Sequence, residues 1–146
     1  MNKLTSVAVL LLVGCASWAP VPYQPKPLSA EEPSEAFMRL LMTARSWRPT
    51  KIDVKQRFAV MTYVINGQYG GVTTVTLPFD EISRVELLSN GGKEFDVDVL
   101  DRKGERLYRY LAGDEAKAKE FVDVLVAFSS PKVVEPVTSA LYRAGE

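Results

Sequence analysis

The stretch RVELLSNGGKEFDVDVLDRKGERLYRYL (residues 84–111) decides the fold, because hydrophobic and polar residues alternate along most of it. Alternation with a period of two is typical of β-strands that bury one face. Turn sequences at 90–92 and 101–104 interrupt the alternation. They divide the stretch into three predicted strands, at residues 84–88, 94–100 and 105–111. The sequence therefore predicts an antiparallel meander of neighbouring strands.

The side-chain pattern also predicts how these strands pair. A register that places Val97 opposite Val85 on one side and opposite Tyr108 on the other gathers the hydrophobic residues on one face. Leu87 and Phe95 then face each other on the same side of the sheet. A slip of one residue would turn these side chains to the opposite face, so a buried face specifies the register strongly.

The same register places opposite charges across the strands on the other face. Asp98 lies opposite Arg84, and Asp96 lies opposite Arg109. Such pairs contribute a few tenths to about 1 kcal/mol to a sheet. Three aspartates and a glycine superficially resemble a calcium loop: Asp96, Asp98, Asp101 and Gly104. However, carboxylates two residues apart on a strand with arginine partners favour a solvated face. We therefore expect no metal site there.

The chain before the meander continues the pattern of β-structure. Residues 57–65 and 72–77 are rich in β-branched and aromatic residues, and a turn that starts at Asn66 and Gly67 joins them. Residues 52–54 allow one more short strand. The whole region thus predicts five to seven strands.

An amphipathic helix is predicted on each side of the strands. Before them, Ser34 is the predicted N-cap of a helix at residues 35–45, whose hydrophobic residues recur at helical spacing. After them, Asp114 is the predicted N-cap of a second helix that ends near residue 129. Its hydrophobic stripe includes Phe121 and Leu125, which we expect to be buried against the hydrophobic face of the meander.

The second half of the chain resembles bacterial pleckstrin-homology-like (PH-like) domains. The resemblance is carried by the run LPFDEISRV (residues 77–85), the two turns of the meander and the stripe of the second helix, and it covers residues 72–128. It implies a split barrel that a C-terminal helix closes. We therefore expect an α+β fold: an antiparallel β meander or split barrel of five to seven strands, closed by a C-terminal amphipathic helix and preceded by an extra N-terminal helix. This single domain is expected at residues 34–130, followed by a tail at 131–146.

The first fifteen residues, MNKLTSVAVLLLVGC, resemble the signal peptide of bacterial lipoproteins. Lys3 gives a basic start, residues 4–14 form an apolar run, and LVGC (residues 12–15) is similar to a lipobox. The run is shorter than the roughly 18–20 residues that cross a bilayer, and its layout is that of a cleaved signal. The resemblance implies that residues 1–14 are a signal peptide and that Cys15, the only cysteine of the chain, becomes the acylated (palmitate-bearing) N-terminus.

The residue after the cysteine implies a location in the cell envelope. In Gram-negative lipoproteins, aspartate at that position implies retention at the inner membrane, and this chain has Ala16. We therefore expect a lipid anchor in the outer membrane, with the domain facing the periplasm.

Residues 15–33 contain five prolines, which favour an extended chain. Proline-rich linkers act as semi-rigid spacers of about 3 Å per residue, so we expect a tether that holds the domain away from the bilayer. Proline-rich segments also serve as ligands for aromatic grooves, which is the alternative for this segment.

The composition leaves few routes to catalysis. The chain has no histidine, and its formal net charge is zero. Histidine is the commonest metal ligand and a frequent general base, and binding nucleic acid without a basic excess is unfavourable. With Cys15 acylated, no thiolate remains to bind zinc. We therefore expect no enzymatic activity, no cofactor, no metal and no nucleic-acid partner.

Three basic residues form a candidate binding pattern. Lys51, Lys55 and Arg57 have the spacing Lys-x3-Lys-x-Arg, which is similar to the head-group-binding signature of eukaryotic PH domains. The resemblance implies contact with an anionic group or ligand. The alternative is three solvated cations at the start of a strand.

Together these observations predict a non-enzymatic lipoprotein attached to the membrane through Cys15, whose domain is a scaffold or binds a protein or peptide partner in the envelope. Exposed sheet edges and helix grooves are the usual places for strand addition or helix docking. The alternative is a carrier of a lipid or small ligand, which needs an internal cavity or a basic mouth.

Overall fold

A computed structural model describes residues 17–28, 31–129 and 135–136 of the chain. The expected signal peptide, Cys15 and most of the expected tail at 131–146 lie outside these residues. The elements in chain order are β1 (Trp18–Pro20), α1 (Pro33–Met42), β2 (Lys51–Val54), β3 (Phe58–Ile65), β4 (Gly71–Pro78), a short 3-10 helix (Phe79–Glu81), β5 (Arg84–Asn90), β6 (Glu94–Leu100), β7 (Arg106–Tyr110), α2 (Glu115–Phe128) and β8 (Glu135–Pro136).

The strands form two antiparallel sheets, and the α+β class is confirmed. The first sheet has the order β1-β5-β6-β7, and the short β8 pairs in parallel with β5. The second sheet has the order β2-β3-β4. The predicted meander is β5-β6-β7, and the predicted earlier strands are β2, β3 and β4. No ladder joins the two sheets among the described strands, so these strands do not close into a barrel.

The pairing within the meander differs from the predicted register by two residues. Val97 lies opposite Leu87 in β5 and opposite Tyr110 in β7, rather than opposite Val85 and Tyr108. The hydrophobic face is nevertheless the predicted one, because side chains alternate with a period of two and a two-residue shift returns each to its own face.

The turns of the meander explain this shift. Between β5 and β6, Gly91 and Gly92 both have positive φ, which glycine adopts without strain, and the Gly92 N–H donates to the Ser89 Oγ at 2.8 Å. Between β6 and β7, the Asp101 carboxylate accepts two backbone N–H groups, and the register shifts at residues 99–100. Local hydrogen bonds of the turns, rather than side-chain alternation, therefore decide the pairing.

The polar face of β6 is buried, contrary to the prediction of a solvated face. Only 1% of Asp96 and 8% of Asp98 is exposed. Asp98 lies opposite Arg109, whereas the Arg84 Nε lies 3.2 Å from the Glu86 Oε1. The predicted pairs Asp98–Arg84 and Asp96–Arg109 are therefore wrong, because the two-residue shift gives Arg109 to Asp98.

The core is formed by the hydrophobic face of the meander, both helices and buried side chains of β3 and β4. Phe121 of α2 stacks on Tyr110, with ring centroids 4.2 Å apart, and on Phe37 of α1 at 5.7 Å. Phe121 and Leu125 are fully buried, as predicted. Aromatic side chains bury large areas and pack with preferred geometries, so these contacts join α1, α2 and β7 into one core.

The two helices begin in different ways: α2 follows a capping aspartate, and α1 begins at a proline. α2 follows Asp114, whose carboxylate accepts the Lys117 N–H at 2.8 Å, and this cap is confirmed. α1 begins at Pro33, with Glu32 rather than Ser34 as its N-cap, and it ends at residue 42 rather than 45. Proline is favoured at the first helical position because an N–H there would have no partner within the helix.

The proline-rich segment lies against the domain instead of extending away from it. β1 pairs with β5, and the Val21 N–H donates to the Leu87 carbonyl at 2.8 Å. Val21, Tyr23 and Leu28 pack against the core. The expectation of a free spacer does not hold for residues 17–28, because the residues between the prolines supply the N–H groups and side chains that bind the domain.

Candidate functional site

The outer side of β4 is the candidate interaction edge. β4 is the last strand of the second sheet, and no described strand pairs with its outer side. In an antiparallel pair, residues that exchange hydrogen bonds alternate with residues that do not. The Phe79 N–H donates to the Arg57 carbonyl at 2.8 Å, in step with the register of β3 and β4. Residues 77, 75 and 73, at every second position before Phe79, therefore bond to β3. The residues between them direct their N–H and C=O groups away from β3, toward the open edge: Val72, Thr74 and Thr76.

These outward-facing residues are exposed and uncharged. Val72 is 70% exposed, and Thr74 and Thr76 are exposed as well. The chain has no charged residue from Phe58 to Phe79. Edge strands usually carry charges, prolines or bulges that discourage pairing with another chain. β4 pairs with β3 in one regular register, and its proline is at the last position, so this edge lacks those protections.

The opposite edge of the same sheet is protected. β2 has four residues, among them Lys51 and Asp53, and the Lys55 Nζ after it lies 3.0 Å from the Asp53 Oδ1. A short strand with charged side chains is a poor template for a second chain. The contrast indicates that strand addition to this sheet is favoured at β4.

The hairpin of β3 and β4 also exposes hydrophobic side chains. Phe58, Val64 and Ile65 are exposed on β3, and Tyr69 in the turn is 92% exposed. The turn needs glycine at position 70, because a Cβ there would lie 2.6 Å from the Ile65 carbonyl oxygen. The β4 edge therefore continues into an exposed, uncharged turn.

The three predicted anion-binding residues each have a separate environment. Lys55 binds Asp53. Arg57 forms an ion pair and a hydrogen bond with Asp80, and this bond lowers the pKa of the Asp80 carboxyl. Lys51 begins β2 and Lys55 follows its end, so about 13 Å of strand separates them. Anion contact at Lys51, Lys55 and Arg57 stays a prediction.

The clefts on the surface of the described residues include the following two. A cleft of about 370 Å³ lies between the 3-10 helix and the turn after β6, and its lining is mostly charged: Asp80, Glu81, Asp101, Arg102 and Lys103. A cleft of about 210 Å³ lies where the proline-rich segment meets α2. A carrier of lipid needs an enclosed apolar volume, and neither cleft provides one.

Asp96 and Asp98 form a buried acidic pair beside arginines. Arg109 binds Asp98 with two hydrogen bonds, Nε to Oδ1 at 2.5 Å and a terminal nitrogen to Oδ2 at 2.6 Å. The Asp96 Oδ1 has no hydrogen-bond partner in the described part of the chain and lies 3.8 Å from the Arg45 guanidinium. Burial raises the pKa of the Asp96 carboxyl, and the charge of Arg45 partly offsets this. Asp98, which belongs to the calcium-loop pattern of the sequence, thus uses both of its carboxylate oxygens to bind Arg109.

Among residues 17–28 and 31–129, no group of three or more Asp, Glu, His or Cys side chains is placed to hold a metal ion. The chain matches no protein-family model, no curated protein and no solved structure in the three comparisons.

Sequence reasoning did not identify Val72, Thr74 and Thr76 as a site. The signal that could have identified them is the uncharged run from Phe58 to Phe79, in a chain in which 25% of the residues are charged. The run predicts a hairpin but does not show which of its strands lies at an edge.

Proposed function

We propose that the protein is a lipid-anchored, non-enzymatic protein of the cell envelope whose domain binds a protein partner by strand addition at β4. The observation that carries this proposal is the exposed, uncharged edge formed by Val72, Thr74 and Thr76. An extended chain that pairs with such an edge gains main-chain hydrogen bonds for affinity and side-chain contacts for specificity.

The edge offers enough backbone groups for such a partner. Each outward-facing residue carries one N–H and one C=O, so three residues provide about six hydrogen bonds to an added strand. Each contributes roughly 0.5–1.5 kcal/mol net. The side chains that flank the added strand are Val72, Thr74 and Thr76, which favour small or β-branched neighbours on the partner.

The lipid anchor is proposed from the lipobox at residues 12–15. Because β1 begins at Trp18, at most about 10 Å of chain lies between the Cα atoms of Cys15 and Trp18. This short connection supports a position of the domain close to the bilayer surface, and Ala16 favours the outer membrane with the domain in the periplasm. No described helix is both long and apolar enough to cross a membrane.

The anchor is tested with Cys15→Ser. This variant removes the thiol that would be acylated, so we expect an uncleaved precursor that does not incorporate radioactive palmitate. A variant that is still processed and labelled like the wild type would exclude the lipobox.

We also propose that the domain is a relative of PH-like domains. Two antiparallel sheets followed by a helix that packs on the meander support this affiliation. The four-residue β2 and the extra helix α1 depart from the pattern implied by the resemblance.

Strand addition is tested by photo-crosslinking in intact envelopes. A photoreactive amino acid at Thr76 should capture a protein partner reproducibly, whereas the same group at Lys103, on the turn after β6, should not. When the photoreactive group at Thr76 is combined with Thr74→Pro, capture of the partner should be abolished. Proline removes an outward-facing N–H of β4 without removing a hydrogen bond to β3.

A matched proline variant separates binding from folding. The backbone N–H and C=O groups of Thr73 point toward β3. Thr73→Pro should therefore break a hydrogen bond of the ladder and lower the thermal midpoint of unfolding, whereas Thr74→Pro should leave that midpoint nearly unchanged. Capture at Thr76 that survives Thr74→Pro, or that equals capture at Lys103, would contradict strand addition at β4.

A further inference from the structure

We infer that the strand added to β4 is β4 of a second copy of this chain, which pairs antiparallel about a twofold axis at Thr74. The inference rests on the proposed function, because it uses the same edge, and it names the partner. It is argued from the outward-facing groups, the available registers and the absence of charge.

The first argument is the register. With the axis at Thr74, the two Thr74 residues face each other and Val72 of each copy faces Thr76 of the other. All outward-facing residues of both copies are then used, which gives about six intermolecular hydrogen bonds. Shifting the axis toward the end of the strand brings in Pro78, which has no N–H. Shifting it toward the turn brings in Gly70, whose N–H already donates to the Gly67 carbonyl at 3.0 Å.

The second argument is the absence of charge. In a twofold pairing, a charged residue on the axis faces its own copy, and like charges directly opposite each other destabilise a sheet. The edge has threonine on the axis, and the whole hairpin from Phe58 to Phe79 is uncharged. Threonine pairs across strands are favourable. An edge that evolved for a different protein could use complementary charges, whereas this edge suits its own copy.

The third argument is steric access. The approaching strand meets small residues at the end of the edge nearest the turn, Gly70 and Gly71. In the proposed register these lie opposite Pro78 and Leu77 of the second copy, which carry a rigid ring and the largest side chain of the strand. The pairing would convert two three-stranded sheets into one continuous six-stranded sheet.

The test is disulfide trapping of the full-length protein in its envelope under mild oxidation. Thr74→Cys places two thiols opposite each other, at a Cα separation of about 5.5 Å that a disulfide can span. We expect a covalent dimer on non-reducing gels, at least tenfold more abundant than for Thr76→Cys. In the Thr76→Cys variant the two thiols are four residues apart along the strand, about 13 Å, and cannot be joined.

A double variant tests the register itself. In the double variant Val72→Cys, Thr76→Cys, the thiol at position 72 of each copy lies opposite the thiol at position 76 of the other copy. The double variant should therefore form disulfide-linked dimers, whereas neither single variant should form them. Dimers of Thr74→Cys that are no more abundant than those of Thr76→Cys would overturn the inference. If the photoreactive group at Thr76 still captures a different protein in that case, strand addition stands and the second copy is excluded; if it captures nothing, both proposals fail.

Discussion

The hydroxyl of Tyr23 donates to the carboxylate of Asp123, at 2.9 Å from Oδ1 and 3.0 Å from Oδ2. The Lys26 N–H donates to the same Oδ1 at 2.7 Å. Burial, together with the hydrogen bond to Asp123, raises the pKa of Tyr23 to about 12. Because Asp123 belongs to α2, these bonds hold the proline-rich segment on the helix and make it part of the domain.

Tyr23→Phe should loosen this segment. The substitution keeps the ring and removes the hydrogen bonds to Asp123, so we expect unfolding in urea to become about 1–2 kcal/mol easier. We also expect faster protease cleavage between residues 23 and 33. Tyr69→Phe is the control, because Tyr69 is 92% exposed, and it should change stability by less than about 0.5 kcal/mol. Equal effects of both variants would show that the Asp123 contact does not hold the segment.

The packing of α2 can be tested at Leu125. Leu125 is fully buried between the helix and the sheet, so Leu125→Ala should lower the free energy of unfolding by about 2–5 kcal/mol, through lost burial and a residual cavity. Ala127→Ser changes an exposed position of the same helix and should cost under about 0.5 kcal/mol. A harmless Leu125→Ala in urea melts would mean that α2 does not cover the meander.

The N-cap of α2 gives a third prediction. Asp114→Ala removes the acceptor of the Lys117 N–H and should cost about 1 kcal/mol, whereas Asp114→Asn keeps an acceptor and should cost much less. Thermal or urea unfolding of the two variants compares them. A similar loss in both would assign the effect to the charge of Asp114 rather than to its hydrogen bond.

The buried carboxyl of Asp96 predicts a dependence of stability on pH. Burial raises its pKa above 3.8. At a pH between the pKa of the unfolded chain and that of the folded protein, the carboxyl is therefore protonated in the folded protein and ionised in the unfolded chain. The stabilisation linked to that proton is complete below the unfolded pKa and is lost as the pH rises through the folded pKa. Asp96→Asn lacks this loss, so its stability relative to the wild type should increase as the pH rises above about 3.8. A relative decrease over the same range, measured by urea melts, would show that Arg45 stabilises the carboxylate more than burial destabilises it.

The strands and the capped helix α2 were predictable because the signals are local. The alternation of hydrophobic residues in 84–111 and the N-cap at Asp114 act within a few residues of the chain. The predicted register differs from the observed one by two residues. Because side chains alternate with a period of two, both registers bury the same face, and the alternation cannot distinguish them. Only the turn at Gly91 and Gly92 and the irregularity at 99–100 distinguish the two registers.

The sequence by itself determined the class of fold, the hydrophobic face of the meander and the uncharged hairpin from Phe58 to Phe79. The tertiary structure decided which strand of that hairpin is an edge, that Asp96 is buried, and that the proline-rich segment docks through Tyr23. The physical reason is that exposure, burial and edge position depend on contacts between residues far apart in the chain. Tyr23 and Asp123 are separated by 100 residues, and no local pattern predicts that they meet.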